Sequence, residues 1–289
     1  MAEIKEKNAV LGGMLYLVAT PIGNLSDLSE RALKVLAEVD FVAAEDTRNS
    51  GLMLARLGLS KPMISYFEHN KRERGEQIAA RLEAGESCAL ITDAGTPAIS
   101  DPGEDLVRLC AERGIPVTSI PGCCAAVTAL TLSGLPTRRF VFEGFLETEK
   151  KPRRERLAAL SAEERTMILY EAPHRLRATL SELLNVFGDR PIALCRELTK
   201  LNEEICRTTL AKAVELYESR EPRGEYVLIL GGKPADEGKD DYPADPAEHV
   251  QFLMDAGLSR MDAIKAAAKA RGVSKNDVYA ALVKNQADE

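Results

Sequence analysis

The sequence predicts an α/β protein of two α/β domains, a parallel N-terminal sheet and a mixed second sheet, followed by a small C-terminal helical bundle. Three patterns carry that expectation. Short apolar runs alternate with helical stretches through the first half, which is how buried parallel strands read when helices cover both faces of a sheet. In the second half, PIALCREL (191–198) and EEICRTTL (203–210) follow each other with little room for a helix, which points to an antiparallel pair. Beyond KPADEGKDDYPADP (233–246), a polar stretch with Gly and Pro, apolar residues recur at helical spacing.

The elements follow in order. LYLVAT (15–20) is the first strand, and the helix after it carries Leu33, Leu36 and Ala37 on one face, with Ser26 or Ser29 placed to cap it. FVAAED (41–46), a helix near 48–57, PMISYF (62–67) and a helix over 72–84 stopped by Gly85 continue the alternation. SCALIT (87–92), a helix over 103–113 stopped by Gly114, and PVTSIP (116–121) complete the first set. RFVFEGFL (139–146), RTMILYEA (165–172) and EYVLILGG (225–232) join the second set of strands. Asp245 and Pro246 start a helix that ends at Gly257, Ser259 starts one that ends near Gly272, and Ser274 caps a third. Three short helices with tight turns resemble a helix-turn-helix bundle. The expected division is a tail (1–13), domains over 14–121 and 122–232, a linker (233–246) and a helical appendage (247–289).

Composition narrows the function classes. At 45% hydrophobic and 29% charged, the 289-residue chain can bury cores and stay soluble. No apolar stretch is long enough to span a bilayer, and MAEIKEKNAV has no apolar signal core, so a cytoplasmic protein is expected. The six cysteines form no C-x-x-C pair and the three histidines are scattered, which argues against a zinc site. A net charge of -7 excludes nucleic-acid binding by bulk charge alone but leaves local basic clusters open.

In an open α/β sheet, ligands bind beyond the carboxyl ends of the strands. TPIGNLSDLS (20–29) follows the first strand and matches neither G-x-G-x-x-G nor a loop ending in GK[ST]; an ordinary capped turn explains it equally well. In AAEDTRNSG (43–51), a helix cap accounts for Asp46 and leaves Glu45 unexplained. In TDAGTPAISDPG (92–103), Gly95 leaves room for close backbone approach, while Pro97 and Pro102 fix the path. PGCCAAVTALTLSG (121–134) runs a Pro-Gly turn into a helix of small residues, where Cys123 and Cys124 read as space-filling at a ligand wall. Each loop is weak alone; four at four strand ends indicate a site.

ATPIGNL, AEDTR, DAGTPAISDPG, IPGCCAAVTAL, YEAPHR and CRELTK, in this order and spacing, resemble the tetrapyrrole methylase family, in its branch acting on small-subunit ribosomal RNA. The resemblance runs from about Met14 to Gly232. It implies two α/β domains with S-adenosyl-methionine folded into the cleft between them, and a homodimer. It also implies methyl transfer to the ribose 2′-oxygen of a cytidine in the decoding centre of 16S rRNA. Where the family reads G-D-P, this chain has Gly95-Thr96-Pro97, so the missing carboxylate's contact must come from the Thr96 hydroxyl, from backbone or from Asp93. By carry-over, Ile22, Asp93, Gly95, Thr96, Pro97, Ile99, Cys124 and Ala125 border the cofactor, Tyr170 and Glu171 lie near the adenine, and Tyr226 closes that pocket.

Attack of a ribose hydroxyl on a sulfonium methyl has a good leaving group, so alignment is the main task and a base acts late. Glu45, Asp46, Glu171 and Lys200 are the candidate bases, unranked, and Lys200 would need a lowered pKa. No metal is required. Arg48, His174, Arg175 and Arg196 stand at strand ends toward the expected cleft. KKPRRER (150–156), with Arg153 and Arg154, directly precedes a helix, and KRER (71–74) is a second basic run. RNA phosphates are the expected partners of the strand-end residues and of the 150–156 run. His174 reads equally as a helix-start residue against Glu171. Two other functions compete: the same chemistry on a tetrapyrrole or a protein, and a non-catalytic ribosome-binding protein that keeps a ligand pocket. Basic runs and a helical appendage favour RNA, and intact motifs favour an enzyme. A nicotinamide dehydrogenase is disfavoured by the missing glycine fingerprint.

Overall fold

A computed structural model describes residues 9–234, 243 and 245–285. Residues 1–8 of the expected tail, and 235–242 and 244 of the expected linker, lie outside the described residues. The chain divides into two compact units, 1–233 and 234–289, and the first holds two five-stranded sheets.

The first sheet comprises β1 (Leu15–Val18), β2 (Phe41–Ala44), β3 (Met63–Ser65), β4 (Cys88–Ile91) and β5 (Val117–Ile120). They run parallel in the order β3-β2-β4-β1-β5. Every residue of β2 and β4 is buried, as strands covered on both faces must be. Successive side chains enter opposite layers. Val42, Ala44, Ala89 and Ile91 meet Val35 and Leu36 of α1 (Glu30–Glu38) and Leu54 of α2 (Thr47–Arg56). Phe41, Ala43, Cys88 and Leu90 meet Ile78 and Leu82 of α3 (Lys71–Glu83) and Leu106 and Cys110 of α4 (Glu104–Glu112). Ser29, not Ser26, caps α1, accepting the Ala32 N–H at 3.1 Å.

α5 (Ala125–Ser133) follows β5 but packs on the second sheet, where Ala126, Ala129 and Leu130 lie against Ile168, Ala193 and Ile229. That sheet comprises β6 (Phe140–Phe145), β7 (Thr166–Glu171), β8 (Pro191–Arg196), β9 (Glu204–Thr209) and β10 (Tyr226–Leu230), in the order β6-β7-β10-β8-β9. β6 is parallel to β7 and the other pairs are antiparallel, so the sheet is mixed as expected. β6 bulges between Phe142 and Gly144. α6 (Lys150–Leu160), α7 (Pro173–Phe187) and α8 (Leu210–Ser219) cover the other face, with Leu157, Leu176, Leu180 and Tyr217 in a common core. The basic run does not precede α6 but forms its first turns. Pro152 is tolerated there because a first-turn N–H has no helical partner.

In the second unit, α9 (Pro246–Asp255), α10 (Arg260–Arg271) and α11 (Lys275–Asn285) surround Val250, Ile264, Ala267 and Val278. Asp245 caps α9, Ser259 caps α10, and Gly272 ends α10 in the left-handed conformation.

Candidate active site

A cavity of about 480 Å³ opens where the strand ends of the two sheets meet. The first half contributes Ile22 after β1, residues 93–96 and 99–101 after β4, and Cys124 and Ala125 at the start of α5. The second contributes Phe145, residues 170–173, Cys195, Leu198 and residues 225–227. Backbone bonds fix the first-half loops. Thr20 and Gly95 exchange N–H···O bonds of 2.9 and 3.0 Å, and the Thr96 hydroxyl donates to the Cys123 carbonyl at 2.9 Å. Gly95 has φ +88°, and a Cβ there would lie 3.4 Å from Ile22 Cγ2. Ala98 and Ser100 are also left-handed, with φ +66° and +60°. Across the cavity the chain turns through left-handed Glu197 and Thr199, and any Cβ on Gly23 would collide with Lys200.

Four carboxylates line the cavity, Asp93, Asp101, Glu171 and Glu225, while Glu45 and Asp46 stand outside the lining. Burial pushes the Glu45 carboxyl up, helped by the charges of Asp93 and Asp46. Asp101 is pushed up to about 7, first by burial and then by Glu45 and Asp93. Asp46 goes the other way, to about 2, because the Arg48 side chain and N–H both hydrogen-bond its carboxylate. Asp93 accepts from Asn49 Nδ2 at 2.8 Å. Among the described residues no cluster of His, Cys, Asp and Glu could hold a metal ion, and no helix is long and apolar enough to cross a membrane.

The family model described as Tetrapyrrole (Corrin/Porphyrin) Methylases matches residues 14–214. The ribosomal RNA small subunit methyltransferase I of Synechocystis sp. is 44% identical over 277 residues, covering 96% of this chain and 99% of that protein. The protein of the same name from Pseudomonas aeruginosa is 46% identical, covering 95% and 98%. The chain belongs to the tetrapyrrole methylase family, in the branch of these relatives. Solved structures of other methyltransferases share the fold. A cobalt precorrin-4 methyltransferase gives a TM-score of 0.58 at 19% identity, covering 76% of this chain and 95% of that one. A Thermus thermophilus uroporphyrin-III C-methyltransferase complexed with S-adenyl homocysteine gives 0.53 at 22%, covering 75% and 97%.

Of the residues carried over from the tetrapyrrole methylase pattern, Ile22, Asp93, Gly95, Thr96, Ile99, Cys124, Ala125, Tyr170, Glu171 and Tyr226 border the cavity. Pro97 does not: it is buried behind the loop it stiffens. The Glu171 carboxylate is taken up internally by the Ala172 N–H at 2.9 Å, the Thr179 hydroxyl and Arg175. Tyr226 touches the cavity, but its ring lies in the layer beneath, edge-on to Tyr217, whose hydroxyl donates to it at 3.2 Å. Val227, its neighbour on the opposite face of β10, packs in the layer that includes Tyr170 and α5.

Two of the expected bases are held in internal ion pairs. Partial burial lowers the Lys200 pKa, but bonds to Glu225 at 2.7 Å and Glu197 at 3.0 Å outweigh that and raise it, so the amine keeps its proton. Asp46 caps α2, pairs with Arg48 and is too acidic to hold a proton near neutrality. Three of the expected phosphate contacts are engaged internally as well. Arg153 is buried, bonding Glu182 at 2.6 Å and Thr179 at 2.7 Å. Arg175 donates to the Leu146 carbonyl at 2.8 Å. Arg196 folds back on the Asn202 carbonyl and Glu204. Arg48 keeps 88% of its side chain exposed beside Asp46, and His174 and Arg154 are exposed. Asp101, Phe145, Leu198 and Val227 line the site without having been singled out. The Asp-Pro-Gly that ends the β4 loop was the one sequence signal for Asp101.

Proposed function

We propose that this chain transfers a methyl group from S-adenosyl-methionine to the ribose 2′-oxygen of a cytidine in the decoding centre of 16S rRNA. It would act in the cytoplasm as a homodimer, with the 30S subunit as its substrate. The observation that carries this reading is the gathering of separated family motifs around one cavity, in a chain 44% identical to a ribosomal RNA small subunit methyltransferase I.

The walls suit the donor. Ile22, Ile99, Ala125 and Tyr170 offer apolar surface to a flat base, and the space left at Gly95 gives it a backbone cradle. Asp93 and Asp101 offer negative charge to a cation. When bound, S-adenosyl-methionine supplies an electrophilic methyl on a positively charged sulfur. The chain's own work is then alignment: loops locked by the Thr20–Gly95 and Thr96–Cys123 bonds hold their shape before any ligand arrives. Of the bases named from sequence, Glu45 alone has no hydrogen-bond or ion-pair partner among the described residues and has its pKa raised, from a position outside the cavity lining. Of the phosphate contacts expected from sequence, Arg48, Arg154 and His174 are exposed and available to RNA.

The test is incubation with methyl-labelled S-adenosyl-methionine and undermethylated 30S subunits, followed by nucleoside mass spectrometry of the 16S rRNA. A 2′-O-methylcytidine dependent on the protein is expected. Label appearing only on a tetrapyrrole or a protein acceptor would overturn the RNA assignment.

A further inference from the structure

The cavity's carboxylates are not equivalent. Asp93 is held by Asn49, Glu171 by the Ala172 N–H and Thr179, and Glu225 by Lys200. Asp101 has no hydrogen-bond or ion-pair partner among the described residues, although it stands in the cavity wall. Its position is fixed by backbone. It follows the left-handed residues Ala98 and Ser100, and Ser100 abuts the bulge of β6, where a Cβ on Gly144 would lie 2.8 Å from the Ser100 Oγ. Gly103 closes the segment against Ala98 and Leu90, with a Cβ there only 3.0 Å from either side chain.

Resting on the methyl-transfer reading above, we propose that Asp101 accepts the proton of the attacking ribose hydroxyl, and that the donor's positive charge readies it. The titratable groups that act on it are Glu45 from the end of β2, Asp93 from the β4 loop and Tyr170 from β7, and no cation among the described residues offsets its charge. Burial and the two carboxylates hold its pKa at about 7, where a large share of the resting carboxyl is protonated at neutral pH. A sulfonium in the same cavity supplies the missing positive charge and favours the carboxylate. In the transfer, the hydroxyl O–H bond breaks and its proton passes to Asp101. The oxygen electron pair forms the new O–C bond, and the C–S pair stays on sulfur as a neutral thioether. The positive charge is discharged as Asp101 becomes neutral, so the acid form is restored when the cation is gone.

The test is calorimetric titration of S-adenosyl-methionine into the full chain at about pH 7, in two buffers of different protonation enthalpy. S-adenosyl-homocysteine serves as the uncharged-sulfur comparator. The wild type should release roughly half a proton per donor bound, with little release on binding the comparator. Asp101→Asn should bind the donor without that release and transfer methyl to 30S subunits ~10²–10⁴-fold more slowly. Asp101→Glu, which keeps the charge, should retain the release and recover part of the rate. Unchanged proton release in Asp101→Asn, or a rate within about tenfold of wild type, overturns the assignment. If the Asn variant does not fold, an Asp101→Glu protein that binds the donor with no proton release overturns it instead. A wild type that neither binds the donor nor methylates the subunit would sink the methyl-transfer reading itself, a different failure.

Discussion

Asp46 and Asp101 are the same residue type held at opposite ends of the carboxylate range, and each should betray itself in stability. Asp46 is ionised, caps α2 and holds Arg48. Asp46→Ala should lower the urea midpoint while Asp46→Asn, which can still cap, should lower it less; equal losses in the two would exclude the cap as the cause. Asp101 is the reverse case. Its folded pKa of about 7 lies above the unfolded value of about 4, so the folded state binds the proton more tightly and loses stability as pH rises through that interval. Asp101→Asn should therefore melt above wild type at about pH 8, with the gap closing toward about pH 4. No gain at the alkaline end would rule this out. At this scale the sequence revealed residue types but not partners. Nothing in KKPRRER distinguishes buried Arg153 from exposed Arg154, and nothing in CRELTK reveals that Glu225, from the loop before β10, would hold Lys200 in its charged form.

Elements were more legible than residues, because strand burial and helix caps are written locally. The all-buried β2 and β4 and the antiparallel β8–β9 pair follow from apolar runs and a short connection. α8 is not legible in the sequence because it leaves β9 directly at Thr209, with no Gly or Pro to mark the change of period. α6 began earlier than expected because Pro152 reads as a breaker except in a first turn. The helix also separates structural from binding roles. Arg153→Ala should cost about 1–3 kcal/mol of folding stability by removing a buried guanidinium that bonds Glu182, Thr179 and the Glu147 carbonyl, whereas Arg154→Ala should leave stability unchanged and reduce the salt dependence of 30S binding. The reverse pattern would return Arg153 to the RNA surface. The turn at Gly23 is a second test: Gly23→Leu must push it off Lys200, and donor affinity should fall ~10-fold or more in titration.

For the whole molecule, the site was the least legible feature. Its walls come from positions between Ile22 and Val227, brought together by two sheets and by α5, which leaves the first sheet to pack on the second. Every lining residue lies in the first compact unit, so residues 1–233 alone should bind S-adenosyl-methionine with the affinity of the full chain; a large loss would show that the helical unit shapes the site.

The bulge in β6 has a consequence beyond the cavity it borders. β6 is the outer strand of its sheet and exposes Phe140 and Phe145, a combination that invites another chain's strand to add on. The extra residue, Glu143, interrupts the ladder and turns its carboxylate to Arg156 at 2.8 Å, while Ser100 fits against Gly144. The irregularity that shapes a wall of the site thus also guards an open sheet edge against aggregation.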